Sequence, residues 1–215
     1  MIDAALIPLQ HRLLDPPARW LAARGVSADR VTVVGFLIGA MALPALALGQ
    51  FALALVLIGL NRVFDGLDGA VARQTMPTDR GAFLDVAFDF MFYALVPLGF
   101  ALADPTANAL AAAVLIAAFV GTGSSFLAFA VIAAQRGLRP EASRAKGIHY
   151  LGGLTEGFET IVAFVLMCLF PGSFALLACV FAAACAVTTL GRWASGWQAF
   201  SPDRDRDRDW PGQGR

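Results

Sequence analysis

Residues 65 to 89 read DGLDGAVARQTMPTDRGAFLDVAFD, a run that places four aspartates beside stretches apolar enough to span a membrane. The four are Asp65, Asp68, Asp85 and Asp89. On insertion scales, a charged side chain at the centre of a bilayer costs roughly 2.5–3.5 kcal/mol. Four acids in so short a run therefore predict that their carboxylates bind cations.

The spacing of the acids places them on two helix faces. Asp65 and Asp68 lie about one helical turn apart, as do Asp85 and Asp89, so each pair shares a face. Two such helices packed face to face would bring four carboxylates around one or two ions. Oxygen-only ligation suits Mg²⁺ or Mn²⁺, which commonly bind phosphates together with protein carboxylates.

A purely structural alternative is that nearby arginines neutralise the acids. The candidates are Arg62, Arg73 and Arg80. This alternative does not explain why glycine recurs beside the acids, at Gly69 and Gly81. Because a glycine leaves out a side chain where a ligand needs close access to the backbone, we favour a ligand site.

The composition excludes an ordinary soluble domain. Of the 215 residues, 58% are hydrophobic and only 15% are charged. Charged residues are absent from 31–61, 105–135 and 160–191, and each stretch exceeds the ~20 residues that one span needs. Turn residues divide the first and third stretches, which predicts an all-α integral membrane protein with six transmembrane helices. The predicted spans are 31–48, 51–73, 81–103, 107–134, 151–170 and 174–195.

One membrane domain is predicted over residues 1–200, followed by a disordered tail at 201–215. Within it, residues 1–30 form a juxtamembrane segment and 31–195 a six-helix bundle. Residues 5–24 mix Leu, Trp and Ala with Arg, which predicts an N-terminal interfacial helix. We expect an interruption of this helix near Pro16 and Pro17.

The distribution of Lys and Arg predicts the orientation in the membrane. Cations cluster before the first span and between the fourth and fifth spans, and the opposite connections carry none. Both termini and the acid cluster are therefore expected on the cytoplasmic side. The net charge of zero says little about partners, because the acids are concentrated in the quoted run and in the tail. The apolar composition makes the lipid bilayer an expected partner, and nucleic acid is not indicated. The cations are Arg12, Arg19, Arg24, Arg30, Arg136, Arg139, Arg144 and Lys146.

Eight positions of the quoted run resemble the signature of the CDP-alcohol phosphatidyltransferases, integral-membrane enzymes of phospholipid synthesis. These positions are Asp65, Asp68, Gly69, Ala72, Arg73, Gly81, Asp85 and Asp89. Seven residues separate Arg73 from Gly81, where the signature is often written with eight, and we interpret the difference as loop variation. The sequence looks most like bacterial inner-membrane members of the family, so we expect a multi-pass protein of that membrane.

The resemblance implies a role for each of these polar positions. The metal ligands for Mg²⁺ or Mn²⁺ would be Asp65, Asp68, Asp85 and Asp89. The contacts to the CDP moiety would be Gly69, Arg73 and Thr78. Asp89 looks like the catalytic general base that takes the proton of the acceptor hydroxyl. The implied reaction converts CDP-diacylglycerol and a polar alcohol into a phosphatidyl-alcohol and CMP.

The acceptor alcohol is not identified by the sequence. Glycerol 3-phosphate, serine and an inositol derivative are all compatible. Candidate acceptor-binding residues are Glu156 and Glu159, at the start of the fifth span, and Arg136, after the fourth. For the two glutamates, an ordinary place at a helix N-terminus, favoured by the helix dipole, is an equal alternative. For Arg136 the alternative is a role in topology. We also expect a homodimer.

Three other functions are compatible with intramembrane aspartates. The first is transfer of a CDP-activated head group to diacylglycerol. An intramembrane prenyltransferase also binds a diphosphate through Mg²⁺ and Asp clusters, although the G-x-x-A-R element argues against it. The third is a cation transporter whose aspartates bind the transported ion.

Overall fold

A computed structural model describes the backbone of residues 2–136 and 154–201, with side chains from residue 12 onward within those ranges. All regular structure in these ranges is helical, which confirms the all-α prediction. The predicted tail, and residues 137–153 between the fourth and fifth predicted spans, lie outside the described residues. The helices are α1 Ile2–Ala23, α2 Ala28–Ala40, α3 Ala42–Ala47, α4 Phe51–Gln74, α5 Asp79–Ala103, α6 Pro105–Gln135, α7 Gly157–Leu169 and α8 Phe174–Ala199.

Four of the described segments are long and apolar enough to cross a membrane. They are Ala28–Ala47, Asp79–Ala103, Pro105–Gln135 and Pro171–Ala199. Helix α4 has a span's length, at 24 residues, but its second half carries the charged residues of the quoted run. The described part of the predicted fifth span, α7, has only 13 residues and is about 20 Å long. It begins at Gly157, with Glu156 as its N-cap, whereas the predicted span begins at residue 151, and residues 151–153 lie outside the described residues.

Two proline positions behave differently from each other. The first predicted span is interrupted at Met41, between α2 and α3, because the Pro44 ring has no N–H and clashes with the carbonyl of Ala40. In contrast, α1 runs unbroken through Pro16 and Pro17, so the predicted interruption there is wrong. Both prolines are exposed, so water or lipid head groups can hydrate the backbone carbonyls that they leave without a donor.

The G-x-x-x-G pair of α2 brings α4 into close contact. A Cβ atom at Gly35 would lie 2.6 Å from the Cβ of Phe64, and one at Gly39 would lie 2.7 Å from the Nδ2 of Asn61. Since lipid is as apolar as a protein core, close approach of small residues is a main source of helix association in membranes. These glycines therefore set the spacing between the helix that begins the bundle and the helix that carries two of the acids.

Two apolar clusters hold the bundle together. The larger cluster contains residues from every helix from α3 through α8. Its buried aromatic rings include Phe100 of α5, which stacks on Phe174 of α8 with ring centroids 4.4 Å apart. The smaller packs α1 against the start of α2 and the last turns of α4, around Ala18, Val31 and Val71. The smaller cluster fixes the end of α4 where the acids lie.

Candidate functional site

The four predicted acids line one cleft. Asp65 and Asp68 reach it from α4, and Asp85 and Asp89 reach it from α5, as the helical spacing predicted. Helix α2 closes the third side with polar, small and aromatic residues. The full lining is Thr32, Gly35, Phe36, Asn61, Arg62, Asp65, Asp68, Asp85, Phe88 and Asp89.

Arg62 lies between two of the acids and bridges the two helices. Its Nη2 donates to Asp89 Oδ1 at 2.6 Å, and its Nη1 lies 3.3 Å from Asp65 Oδ2. The arginine side chain is 18% exposed, and those of Asp65 and Asp89 are 34% and 32% exposed. The structural alternative of arginine neutralisation is therefore partly correct, because Arg62 pairs with two of the acids, whereas Arg80 pairs with Asp29.

Asn61 holds Arg62 in this position. The Asn61 Oδ1 atom accepts from Arg62 Nε at 3.0 Å and from Arg62 Nη2 at 2.6 Å. Its Nδ2 donates to the backbone carbonyl of Gly35 at 3.0 Å. Because Gly39 carries no side chain, the Asn61 amide fits against α2 at this depth. A chain of hydrogen bonds thus runs from the α2 backbone to the carboxylate of Asp89.

Asp68 is the buried member of the acid set. It is only 6% exposed, and its Oδ2 accepts a hydrogen bond of 2.6 Å from the Thr32 hydroxyl of α2. Such a short bond to a carboxylate is typical of a charge-assisted hydrogen bond. Thr32 therefore fixes the direction in which the other Asp68 oxygen faces. Asp85, in contrast, is exposed at the mouth of the cleft.

The donor set fits a hard divalent ion, although the side chains are not gathered around one point. In the described residues, no three acid, His or Cys side chains lie close enough together to hold an ion. The physical reason is that Arg62 lies between Asp65 and Asp89, while Thr32 holds Asp68. The oxygen donors are nevertheless those that Mg²⁺ and Mn²⁺ prefer. A guanidinium between two carboxylates also shows that the cleft already stabilises positive charge.

The predicted nucleotide contacts lie just outside this lining. Gly69 follows Asp68 on α4, and a Cβ there would contact only Arg73 Nη1, at 3.5 Å, so the surface beside it is open. Arg73 is exposed one turn further along. Thr78 instead caps α5, accepting from the backbone N–H of Gly81 at 3.0 Å and donating to Asp29 Oδ1 at 3.3 Å.

The structure explains why position 81 is a glycine, for a reason that the sequence did not reveal. A Cβ at this position would lie 2.9 Å from Asp29 Oδ1 and 3.1 Å from the Thr78 hydroxyl. Arg80 Nε also donates to Asp29 Oδ2, at 2.6 Å. The glycine therefore lets the first turn of α2 lock onto the first turn of α5. Of the two glycines assigned to ligand access, Gly69 alone leaves open surface.

The candidate acceptor residues separate into different places. Glu156 and Glu159 form a reciprocal capping box at the start of α7, with the backbone N–H of Glu156 donating to Glu159 Oε2 at 3.1 Å. Glu156 also lines a second cavity, and Glu159 does not. Arg136 lies at the end of α6, over the ring of Phe200 at 5.1 Å, and lines neither cavity.

The second cavity lies on the side of α5 that faces α6, α7 and α8. It encloses about 500 Å³ of empty space, its open mouth included. Aromatic rings and hydroxyl groups line most of it, with one carboxylate, Glu156, and one guanidinium, Arg192. Arg192 Nη1 donates to the backbone carbonyl of Thr122 at 3.0 Å. Tyr93 of this cavity lies one turn from Asp89 on α5, and the Arg62 guanidinium is 5.7 Å from the Tyr93 ring centroid. Arg62 therefore lies between the two cavities.

Sequence reasoning assigned no ligand-binding role to Thr32 or Asn61, and it considered Arg62 only as a neutralising partner of the acids. A signal for Thr32 was present, because it lies one turn before Gly35 on the face of α2 that carries the two glycines. A polar side chain on such a close-packing face needs a partner from the neighbouring helix. For Asn61 and Arg62 the signal was their position on the turn of α4 before Asp65.

Comparisons with known proteins found a matching family model and several similar proteins. A family model described as CDP-alcohol phosphatidyltransferase matches residues 25–190. The chain is 54% identical over 197 residues to the inner membrane protein YnjF of Escherichia coli K12, an alignment covering 92% of this chain and 96% of that protein. It is 34% identical over 93 residues to the archaetidylinositol phosphate synthase of Methanothermobacter thermautotrophicus, covering 43% of this chain and 46% of that protein.

The fold matches that of a solved enzyme, the phosphatidylinositol phosphate synthase of Mycobacterium tuberculosis. Its complex with manganese and citrate superposes with a TM-score of 0.66 at 23% identity, covering 94% of this chain and 96% of the solved one. Its complex with CDP-DAG gives a TM-score of 0.64 at 24% identity, covering 89% and 96%. At this level of identity the likeness shows a shared fold.

Proposed function

The chain belongs to the CDP-alcohol phosphatidyltransferase family, and on that premise we propose that it transfers a phosphatidyl group from CDP-diacylglycerol to a polar alcohol with release of CMP. One observation carries the proposal. Asp65, Asp68, Asp85 and Asp89, which match the family signature in residue type and spacing apart from one loop position, line a single cleft between α4 and α5. A cleft with this density of carboxylates within a membrane protein requires cations.

The ligands of the divalent ion are proposed to be Asp65, Asp68, Asp85 and Asp89, with Mg²⁺ or Mn²⁺ as the ion. Members of the family use divalent metals. When bound, the ion would neutralise the diphosphate and the charge that develops on the leaving CMP. The hydrogen bond from Thr32 would orient Asp68 for this task, since it fixes one of the two carboxylate oxygens.

The nucleotide is proposed to lie along the open surface beside the acid cleft. Gly69 would allow the CDP moiety to approach the α4 backbone, because nothing but the tip of Arg73 lies near its Cα hydrogen. Arg73 is exposed one turn away and would pair with a phosphate oxygen. Thr78 would contact the nucleotide only if its bond to Asp29 opened, so we rank it below the other two.

Asp89 is proposed to be the general base. It would take the proton from the acceptor hydroxyl as that oxygen attacks the phosphorus next to diacylglycerol. The new bond joins the alcohol oxygen to this phosphorus. The bond that breaks joins the same phosphorus to the bridging diphosphate oxygen, which leaves with CMP. Asp89 suits the role because it lies at the end of the acid series that is nearest to the second cavity, one turn from Tyr93.

The second cavity is proposed to hold the acceptor alcohol. It adjoins Asp89 through Tyr93, and its hydroxyl groups, with Glu156 and Arg192, can hydrogen-bond a polyol or a polar head group. Glu156 is retained as an acceptor-binding candidate. Glu159 and Arg136 are weaker candidates because neither lines the cavity.

The membrane arrangement is also a proposal. We propose six spans in the inner membrane of a bacterium, with both termini and the acid cleft on the cytoplasmic side and with a homodimer as the assembly. The Lys/Arg asymmetry supports the orientation, and the relative named as an inner membrane protein supports the choice of membrane.

The competing functions fare differently. Membership of an enzyme family of phosphatidyltransferases removes the reasons for a cation transporter and for a prenyltransferase. Transfer of a CDP-linked head group to diacylglycerol uses the same chemistry. The solved relative with CDP-DAG bound favours the phosphatidyl donor over it.

The test is release of CMP by purified protein. CDP-diacylglycerol is supplied with a panel of acceptors that includes glycerol 3-phosphate, serine, inositol and inositol phosphate, with and without a chelator. We expect CMP release with at least one acceptor, its loss on chelation, and its recovery with Mg²⁺ or Mn²⁺. Turnover that persisted unchanged after chelation and dialysis would exclude the metal site. Release only from CDP-linked head groups with diacylglycerol would support the reversed arrangement.

A further inference from the structure

We propose that Arg62 is a positioning residue that acts as a resident counter-cation: it occupies the space between Asp65 and Asp89 and must leave them when a divalent ion binds. The inference rests on the proposed function, because it assumes that these acids bind a metal. It goes further by assigning to the protein itself a competitor for that metal. No sequence signature identifies this residue, and its role follows from the contacts of its guanidinium.

The two ion pairs of Arg62 use the acids on which metal binding depends. Its Nη2 is 2.6 Å from Asp89 Oδ1, and its Nη1 is 3.3 Å from Asp65 Oδ2. One acid lies on the arginine's own helix, while the other lies on α5. The guanidinium therefore keeps the two acidic helix faces together in the absence of another cation. An ion that took both carboxylates as ligands would have to displace it.

The anchoring of Arg62 distinguishes this arrangement from an ordinary surface ion pair. The arginine is 18% exposed, and Asn61 accepts two of its N–H groups while bonding to the α2 backbone. The rings of Phe92 and Tyr93 flank its other side, with centroids 5.1 and 5.7 Å from the guanidinium carbon. Exposed ion pairs commonly contribute little to stability. A mostly buried guanidinium that other residues already orient binds carboxylates in a defined geometry.

The charge balance gives the direction of the exchange. Four carboxylates line the cleft, and Arg62 is the one cation in its described lining. A divalent ion carries more positive charge than the guanidinium, so the exchange is favourable once the ion is supplied. The arginine nevertheless lowers the apparent affinity, because its own ion pairs are lost and because like charges then lie close together. Removing the guanidinium should therefore tighten metal binding.

The experiment measures Mn²⁺ affinity directly, by titration of the purified protein with the free-ion signal in electron paramagnetic resonance. The variant Arg62→Met keeps an unbranched apolar stem and removes the charged guanidinium. We expect its Kd for Mn²⁺ to fall at least about tenfold relative to the parent protein. In chelator, its thermal unfolding midpoint should be lower than that of the parent, and Mn²⁺ should raise the midpoint of the variant by more.

The matched control is Arg80→Met, which removes the same charge from the start of α5. Arg80 is 76% exposed and pairs with Asp29 instead of with the acid cleft. The Mn²⁺ affinity of the Arg80→Met variant should therefore stay within about twofold of that of the parent protein. If Arg62→Met does not fold, Arg62→Lys provides the test. A lysine has one charged nitrogen in place of the planar guanidinium, so it cannot bridge both acids as closely. The Arg62→Lys variant should therefore also bind Mn²⁺ more tightly than the parent protein does.

The outcomes are distinguishable from failure of the proposed function. An Mn²⁺ affinity that was unchanged or weaker in both Arg62 variants would overturn the counter-cation role and leave the metal site intact. Absence of Mn²⁺ binding by the parent protein, with CMP release that survives chelation, would overturn both proposals.

Discussion

Asp89→Asn separates chemistry from structure at the proposed base. Asparagine has the same shape as aspartate but cannot accept the proton of the acceptor hydroxyl. A positioned base typically contributes ~10²–10⁴-fold to the rate, which corresponds to about 2.7–5.5 kcal/mol in the activation barrier. We therefore expect turnover to fall by at least about a hundredfold at saturating acceptor.

The effect on folding should be much smaller than the effect on rate. The substitution weakens the 2.6 Å bond from Arg62 Nη2, but the asparagine Oδ1 can still accept it. Arg62 also keeps its contacts with Asp65 and Asn61. Because the hydrogen bond is weakened rather than lost and Asp65 still pairs with the guanidinium, the loss of charge at Asp89 should cost about 1–2 kcal/mol. Binding of CDP-diacylglycerol should persist.

The assay compares CMP release, binding of CDP-diacylglycerol and the thermal unfolding midpoint for each variant. The matched control is Asp104→Asn, the same chemical change at the opposite end of α5. Asp104 caps α6 through its bond to the N–H of Ala107, and asparagine caps equally well, so turnover there should stay near the parent value. Near-parental turnover of Asp89→Asn would refute the base assignment, and Glu156 would be the next residue to test.

Three further predictions concern packing, the acceptor and topology. Gly35→Ala places a Cβ 2.6 Å from that of Phe64 and should destabilise the protein by about 1–3 kcal/mol in thermal unfolding, whereas Gly59→Ala, with nothing within 4 Å, should not. Glu156→Gln retains a capping oxygen but removes a charge from the second cavity, so it should raise the Michaelis constant of the acceptor and leave that of CDP-diacylglycerol unchanged; an unaltered acceptor constant would reduce Glu156 to a helix cap. A reporter fused after Arg215 should be cytoplasmic, and a periplasmic reporter would contradict the proposed orientation.

The helices and the acid cleft could be predicted because both depend on periodicity. Four of the six predicted spans each coincide with one described helix to within about four residues, and the first coincides with α2 and α3 together, since long apolar runs and turn residues mark helices directly. The 3.6-residue period also placed Asp65 with Asp68 and Asp85 with Asp89 on faces that meet. Residue spacing within short stretches of the sequence was sufficient to predict these features.

The remaining details depend on contacts between residues far apart in the chain. Thr32 reaches Asp68 across 36 positions, and Arg62 reaches Asp89 across 27. Neither pair follows from spacing, because each needs the distance between two helices and one chosen rotamer. The cause of Gly81 was hidden for the same reason, since its crowding comes from Asp29 of α2.

The structure also corrected two local interpretations. Continuity of α1 through Pro16 and Pro17 shows that proline weakens a helix without always ending it. The late start of α7 accompanies the capping box of Glu156 and Glu159, which is the helix N-terminal place that the sequence offered for these glutamates as an equal alternative to a binding role. In both cases the ends of the helix depend on contacts of the folded chain that the local sequence pattern does not specify.

The most direct measurement follows a single phosphorus atom. CDP-diacylglycerol labelled with ³²P at the phosphate next to diacylglycerol is incubated with the purified protein, a divalent ion and the preferred acceptor. The account predicts that the label appears in a new phosphatidyl-alcohol and that the CMP released is unlabelled. Label in CMP, or label confined to phosphatidic acid with every acceptor, would contradict transfer of a phosphatidyl group to an alcohol.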